Sequence, residues 1–511
     1  MNIIKTVCLS AACAVVSQAA SNLPAFPGAE GFGKYTAGGR GGTVYHVTNL
    51  NDTGPGSFRD AVGTSNRIVV FDVGGIINIT DRIVVKKNIY IAGQTAPGGG
   101  ITIYRNGIAF NGDSGNDIVR YIRIRMGKNG DSEKDAVAIS GGSNYMFDHV
   151  SISWGRDGTL DVNGTPIDNL SFQECIIAQG INSSNHSTGG LMQPSGVEGH
   201  WSMIRSLYID NKTRNPKARG KHEFINSVLY SWREHGYIMG DTENGVSECN
   251  LIGNYFIYGP SSTTNTHITG TTSYFHVYAE DNWVDNNKNG KLDGSLLTDY
   301  KTATVMSTPF DYPDVDKLLS AQDAVNHVIE NVGPYKARDA VDEFLIDELR
   351  SYGTKGKIIN TEDDNGIPNN VGTVENGTPP TDTDKDGMPD DWEEKYGLNP
   401  NDADDCNGKD LSADGYTNIE MYVNELAGDP VVFKEGIVAA DGTRPFLKSG
   451  WSVRLLNEIG SFEIYTLQGQ LVHKEMQKPS LFPSGMSIVV QRTRSGRIVH
   501  RYLERNLENG W

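Results

Sequence analysis

Between residues 40 and 290 the chain alternates short apolar runs with clusters of Gly, Asn, Asp and Ser. Six runs open alike, with a polar residue, one spacer and then an alternating strand. They are Arg120-Tyr121-Ile122-Arg123-Ile124, Asp148-His149-Val150-Ser151-Ile152, Gln173-Glu174-Cys175-Ile176-Ile177, Arg205-Ser206-Leu207-Tyr208-Ile209, Asn226-Ser227-Val228-Leu229-Tyr230 and Gly253-Asn254-Tyr255-Phe256-Ile257. The apolar third positions fall at 122, 150, 175, 207, 228 and 255, in steps of 28, 25, 32, 21 and 27 residues. Repeats in this range mark stacked architectures. Strands this short, without helices between them, predict a parallel β-helix whose inward side chains stack from coil to coil. Cys175 then falls in an internal column. A β-propeller would need about four strands per longer repeat, and the pattern holds fewer.

The flanks change character. Gly56-Ser57-Phe58-Arg59-Asp60-Ala61-Val62 predicts a short capped helix, suited to cover an open solenoid end. Residues 314–351 switch to helical spacing and predict helices packed outside the coils. Residues 354–380, rich in Gly, Asn, Thr and Pro, read as a linker. Residues 381–430 read as an acidic spacer, and 440–511 alternate like strands, as in Phe462-Glu463-Ile464-Tyr465. The expected fold is all-β: a right-handed single-stranded parallel β-helix over 21–353 with a few peripheral helices, then a small C-terminal β-sandwich-like domain.

Residues 1–20 carry Lys5, an apolar run and Ser17-Gln18-Ala19, the pattern of a secretory signal peptide. No later segment is apolar and long enough to span a bilayer. The expected protein is therefore secreted and extracellular. Of five cysteines, Cys175, Cys249 and Cys406 lie beyond the signal. An odd number is no disulfide framework, so small buried hydrophobes are expected. The net charge of −18 is uneven, because residues 371–430 hold 16 acidic side chains against 3 lysines. Nothing basic enough for nucleic acid emerges.

Three polar clusters lie on successive predicted coils: Glu133-Lys134-Asp135; Asp148-His149 with Asp157-Gly158-Thr159-Leu160-Asp161; and Arg214-Asn215-Pro216-Lys217-Ala218-Arg219. Stacking would bring them within strand spacings of each other. Carboxylates so gathered repel unless cations hold them, and oxygen-only ligands suit Ca²⁺. Read singly, the acids are solvated turns and the arginines surface ion pairs.

The stretch from Phe26-Pro27-Gly28-Ala29-Glu30-Gly31-Phe32-Gly33 to about Gly294 resembles pectate lyases of polysaccharide lyase family 1, especially the fungal-type branch. Thr36-Ala37-Gly38-Gly39-Arg40-Gly41-Gly42, Asp148-His149-Val150-Ser151-Ile152-Ser153-Trp154-Gly155 and Asp210-Asn211-Lys212-Thr213-Arg214-Asn215-Pro216 carry the likeness. The resemblance implies a parallel β-helix that cuts polygalacturonate by calcium-dependent β-elimination. It implies that Arg214, in R-x-P-x-x-R, is the base, and that Arg219, His186 and Lys212 contact substrate. His186 stands near where bacterial members carry a lysine. The resemblance also implies Glu133, Asp135, Asp157 and Asp161 as calcium ligands. A guanidinium is a difficult base, with a reference pKa above ~12, so an alkaline optimum is expected.

Two further loops fit calcium. Asp285-x-Asn287-x-Asn289-Gly290-Lys291-x-Asp293 matches the first half of an EF-hand loop, but its twelfth position is Leu296. Lys291 would offer its carbonyl. In Asp382-x-Asp384-x-Asp386-Gly387-x-x-Asp390-x-x-Glu393 six positions fit. This second stretch resembles calcium-binding repeats that act as spacers in secreted bacterial enzymes. The tail resembles domains that sort or attach secreted bacterial proteins, with glycan binding as the alternative.

The leading expectation is a monomeric pectate lyase acting on pectin or polygalacturonate. Alternatives are a pectin lyase for methyl-esterified substrate, which needs no calcium, and a non-catalytic β-helix that binds cell-wall glycan.

Overall fold

The structure is a computed structural model. It describes residues 23–434 apart from 184, 241–244 and 317, together with residue 437 and the backbone of four strands beyond residue 460. The expected signal peptide lies outside these residues. The chain divides into two units, Met1–Pro445 and Phe446–Trp511.

From Thr43 to Val305 the first unit is a parallel β-helix. Its strands form sheets of eleven, ten and eight members in which successive coils are neighbours. One short strand, Ser295–Leu296, pairs antiparallel with Trp283–Asp285. The apolar pattern explains the winding. Parallel pairing at about 4.8 Å sets equivalent positions directly above one another, so like side chains stack. Phe147 pairs in register with Val119 and Phe172, and the rings of Phe147 and Phe172 stack at 5.0 Å. Helix α1 (Phe58–Val62) is capped by Ser57 and buries Phe58, Ala61 and Val62 in this core, as expected.

The internal column departs from the expected positions after Cys175. Ser151 pairs with Arg123 and Ile176, so Ile122, Val150 and Cys175 are in line. Ile176 then pairs with Leu207. The residue above Cys175 is thus Ser206, followed by Ser227, Asn254 and Asn282. These residues form a buried polar ladder. The N–H of Cys175 donates to Ser206 Oγ (3.0 Å), that of Ser206 to Ser227 Oγ (3.1 Å), that of Ser227 to Asn254 Oδ1 (2.8 Å) and that of Asn254 to Asn282 Oδ1 (3.2 Å). Leu207, Val228 and Tyr255 instead belong to a second apolar cluster outside the solenoid. A one-residue slip exchanges the faces of a strand, and polar residues that satisfy the next coil's backbone look like turn residues in a linear reading.

That second cluster is closed by α2 (Ala321–Asn331) and α3 (Ala340–Arg350). Arg125, fully buried, reaches Asp339 Oδ1 at 2.8 Å and Asp342 Oδ1 at 2.9 Å, fixing the start of α3. Cys175, Cys249 and Cys406 are free and buried.

Residues 354–380 do not hang free as a linker. The Gly99 N–H donates to Glu375 O and the Gly74 N–H to Asn376 Oδ1 (2.9 and 2.8 Å). The 381–430 stretch is likewise no detached spacer. Its helices α4 (Asp390–Tyr396) and α5 (Asn418–Ala427) share an apolar cluster with Ile68, Val70, Tyr90 and Ile118 of the early coils. Arg40 pairs with Glu420 at 2.7 Å and Arg120 with Asp429 at 2.8 Å.

In the second unit, Ser461–Thr466, Leu471–Glu475, Ser487–Arg492 and Ile498–Leu503 form one antiparallel sheet. The second layer of a sandwich is not among the described residues.

Candidate functional site

The eight-stranded sheet carries the acidic clusters at the neighbouring strands Val137–Ile139 and Leu160–Gly164, and the basic cluster at Lys217–Ala218, two strands further on. In register, Ala138 pairs with Asp161, Leu191 with Lys217 and Lys217 with Ile238. Alternation turns Val137, Leu160, Val162, Met192 and Ala218 inward, which leaves Asp161 and Lys217 on the outer face. Thr188 bridges Gly158 on one side and Thr213 on the other, so Arg214 enters the same face two strands from Asp157-Gly158. Arg214 has φ 57°, and its carbonyl accepts the Gly190 N–H at 2.8 Å.

Three carboxylates converge here. The Gly158 N–H donates to Asp135 Oδ1 at 2.7 Å and the Leu191 N–H to Asp161 Oδ1 at 2.8 Å. Burial, and then the neighbouring Asp135, push the Asp161 carboxyl up to about 8. Arg214 opposes that shift. Asp135 is also raised, first by burial, with the Asp157 charge adding to it and the Gly158 hydrogen bond working against it. Asp157 is half-exposed and its Oδ1 contacts His186 Nδ1. Glu133 stands exposed at φ 57° in the turn that leads into Asp135. The Asp157 charge reaches both Asp135 and Asp161, but the oxygens of the three do not close into one group within 4.8 Å as those of the 382–405 region do.

The basic side is Arg214, Lys217 and Arg219. Burial, then Arg219 and Arg214, pull the Lys217 ammonium below its ordinary value. Sequence reasoning assigned Lys217 no role. The signal was there: Lys217 and Arg219 stand two apart in an R-x-P-K-x-R run, the spacing that puts residues of an extended segment on one face. The buried Lys212 ammonium is held by Asn185 O and Oδ1 at 2.8 Å each and by Glu234 at 3.1 Å, which ties two turns together.

The two outlying loops differ sharply. In the 285–293 loop the candidate oxygens also serve the loop's own turns. Asp285 accepts the N–H groups of Asn287 and Asp293, and Asp293 accepts the side-chain amides of Asn287 and Asn289. The Lys291 N–H donates to Asn289 Oδ1 at 2.9 Å. In the 382–393 loop, the Asp390 oxygens accept the Thr383 N–H and hydroxyl at 2.7 Å each. Asp405, outside the motif, joins the acidic cluster. Asp382, Asp384 and Asp386 form one tight group and Asp386, Glu393 and Asp405 another, with ligand atoms within 4.8 Å of one another. Burial pushes Glu393 up to about 8 and Asp386 to about 7, with neighbouring carboxylates adding to both.

No family model matches the chain. Curated relatives do. A probable pectate lyase C of Aspergillus terreus is 51% identical over 411 residues, covering 80% of this chain and 94% of that protein. The Aspergillus fumigatus counterpart is 50% identical over 418 residues, covering 81% and 96%. Any stretch that long in 511 residues includes the 382–405 region. A probable pectate lyase 5 of Arabidopsis thaliana is 32% identical over 150 residues, covering 26% of this chain and 37% of its own length. Half-identity across nearly the whole length of the Aspergillus proteins leaves one conclusion: this chain belongs to the pectate lyases.

Proposed function

We propose that this chain cleaves α-1,4-linked polygalacturonate by calcium-dependent β-elimination, as a secreted member of polysaccharide lyase family 1. The observation that carries this reading is the facing of an acidic trio, Asp135, Asp157 and Asp161, by Arg214, Lys217 and Arg219 on one sheet face. A polyanionic sugar suits such a divided surface: cations on one side, and a cation-binding site on the other.

Asp135, Asp157 and Asp161 would hold Ca²⁺. A bound calcium ion would draw electron density from a galacturonate carboxylate, acidify the C5 proton and stabilise the charge that develops. Arg214 takes the C5 proton. The electron pair forms the C4–C5 double bond, the C4–O bond breaks, and the leaving sugar oxygen acquires a proton from solvent. Arg219 and Lys217 hold neighbouring carboxylates and orient the chain. Asp157, which contacts His186, would be one of the carboxylates that hold the ion.

The test follows ultraviolet absorbance of unsaturated ends on polygalacturonate, with and without chelator. Growth abolished by chelator and restored by calcium supports the proposal. Growth only on methyl-esterified pectin, indifferent to chelator, would replace it with the pectin lyase reading. Absence of growth on either substrate would leave a glycan-binding β-helix.

A further inference from the structure

The acidic segment that packs on the early coils contains a set of buried oxygens that the lyase chemistry leaves unused. Glu393 is 0% exposed, yet neither of its carboxylate oxygens has a hydrogen-bond donor among the described residues. The same holds for both oxygens of Asp384, for Asp386 Oδ2 and for Asp405 Oδ1. The other oxygens of Asp386 and Asp405 accept the N–H groups of Met388 (2.8 Å) and Asn399 (3.2 Å), which orients the unpartnered ones. Six carboxylate oxygens are thus gathered out of water without donors. Burying even one unpaired carboxylate is costly, and a coordinated metal is one of the few arrangements that offsets it.

We propose that Asp384, Asp386, Glu393 and Asp405, with Asp382 beside them, bind a structural Ca²⁺ ion that fastens residues 381–433 to the first coils of the solenoid. All donors are oxygens, the number fits calcium's six to eight, and carboxylates of this kind are its usual ligands. Magnesium would demand a stricter octahedron and retain waters. The site is separate from the Asp135–Asp157–Asp161 cleft. Its loop is seated directly on the solenoid. His46, on the strand Thr43–Val47, contacts Lys385 O at 3.2 Å and Asp382 Oδ2 at 3.5 Å. A side chain at Gly387 would meet Val44 Cγ1 at 2.8 Å. The ion therefore shapes a loop whose other face is part of the core, which couples metal binding to folding of that flank.

The full chain, stripped with chelator, is titrated with Ca²⁺ by calorimetry and melted with and without the ion. Glu393→Gln is expected to bind one ion fewer per chain and to lose the calcium-dependent rise in Tm. Asp161→Asn is expected to keep that rise while losing turnover, which separates failure of this site from failure of the lyase reading. A Glu393→Gln protein that keeps both the ion count and the rise overturns the proposal, as does loss of the rise in Asp161→Asn alone. If Glu393→Gln does not fold, hydrogen exchange on the unmodified protein decides. Added Ca²⁺ should slow exchange across residues 382–405, and unchanged exchange there refutes the site.

Discussion

Gly158 and Asp161 interlock: a Cβ built on Gly158 would stand 2.1 Å from Asp161 Oδ1 and 2.9 Å from Asp135 Oδ1. The missing side chain is therefore the space in which the two carboxylates approach. Gly158→Ala should displace Asp161, the shorter contact. The expected result is a calcium requirement for half-maximal activity raised by about tenfold or more, the scale seen when groups supporting a metal site are disturbed. Activity measured against calcium concentration checks this, and an unchanged requirement would contradict the interlock.

Arg214 tests the proposed base. Arg214→Lys retains a cation but moves it away from the carbon-bound proton. Turnover should fall at least ~100-fold, the lower range for lost proton transfer, while KM changes little. Arg214→Ala should melt within a degree or two of the parent. Single-turnover and melting measurements on both variants decide the point.

The polar ladder is a stability prediction. Asn254 accepts from Ser227 N and donates to Phe224 O at 2.8 Å each. Asn254→Ala strands both groups inside the solenoid, at about 1–3 kcal/mol for each buried group left unsatisfied. Thermal unfolding should show a Tm lower by several degrees with activity at low temperature preserved.

His222 predicts an acid limit. It lies flat against Trp201, at 4.3 Å between ring centres, and hydrogen-bonds Gly220 O and the Tyr237 hydroxyl. Burial pushes its pKa down to about 3 from 6.5, against the Gly220 bond. The folded state thus binds fewer protons than the unfolded one below pH 6.5. Stability is complete above that value and is lost progressively as pH falls towards 3. His222→Gln should lose less stability between pH 6.5 and 4, measured by denaturant unfolding.

Asp210 and Glu348 predict an alkaline limit. Burial, and then Glu348, raise the Asp210 carboxyl well above 3.8. For an acid so shifted, the contribution is complete at low pH and is lost as pH rises towards the folded-state value. Asp210→Asn puts a neutral amide where the titrating carboxyl stood. Its Tm should decline less than the parent's between pH 5 and 9.

Much was legible without coordinates because it rests on local alternation or on short spacing. The six runs announced a stacked β architecture, since a strand's faces alternate with period two whatever surrounds it. Cys175 fell correctly inside. Ser57 announced α1, because capping needs only the next three residues. Asp384, Asp386 and Glu393 were readable from one loop.

The tertiary structure decided what depends on register and on distant partners. Only pairing between coils shows that Ser206, not Leu207, sits above Cys175, because loops of unequal length hide a one-residue slip. Only packing shows that residues 381–433 seat on the early coils, where Asp405 joins Asp386 and Glu393. Lys212 and Lys217 are five residues apart, yet one is tied down at a buried turn and the other stands in line with Asp161. A sequence records which groups are available, but their burial and partners arise when strands far apart in the chain come within one hydrogen bond of each other.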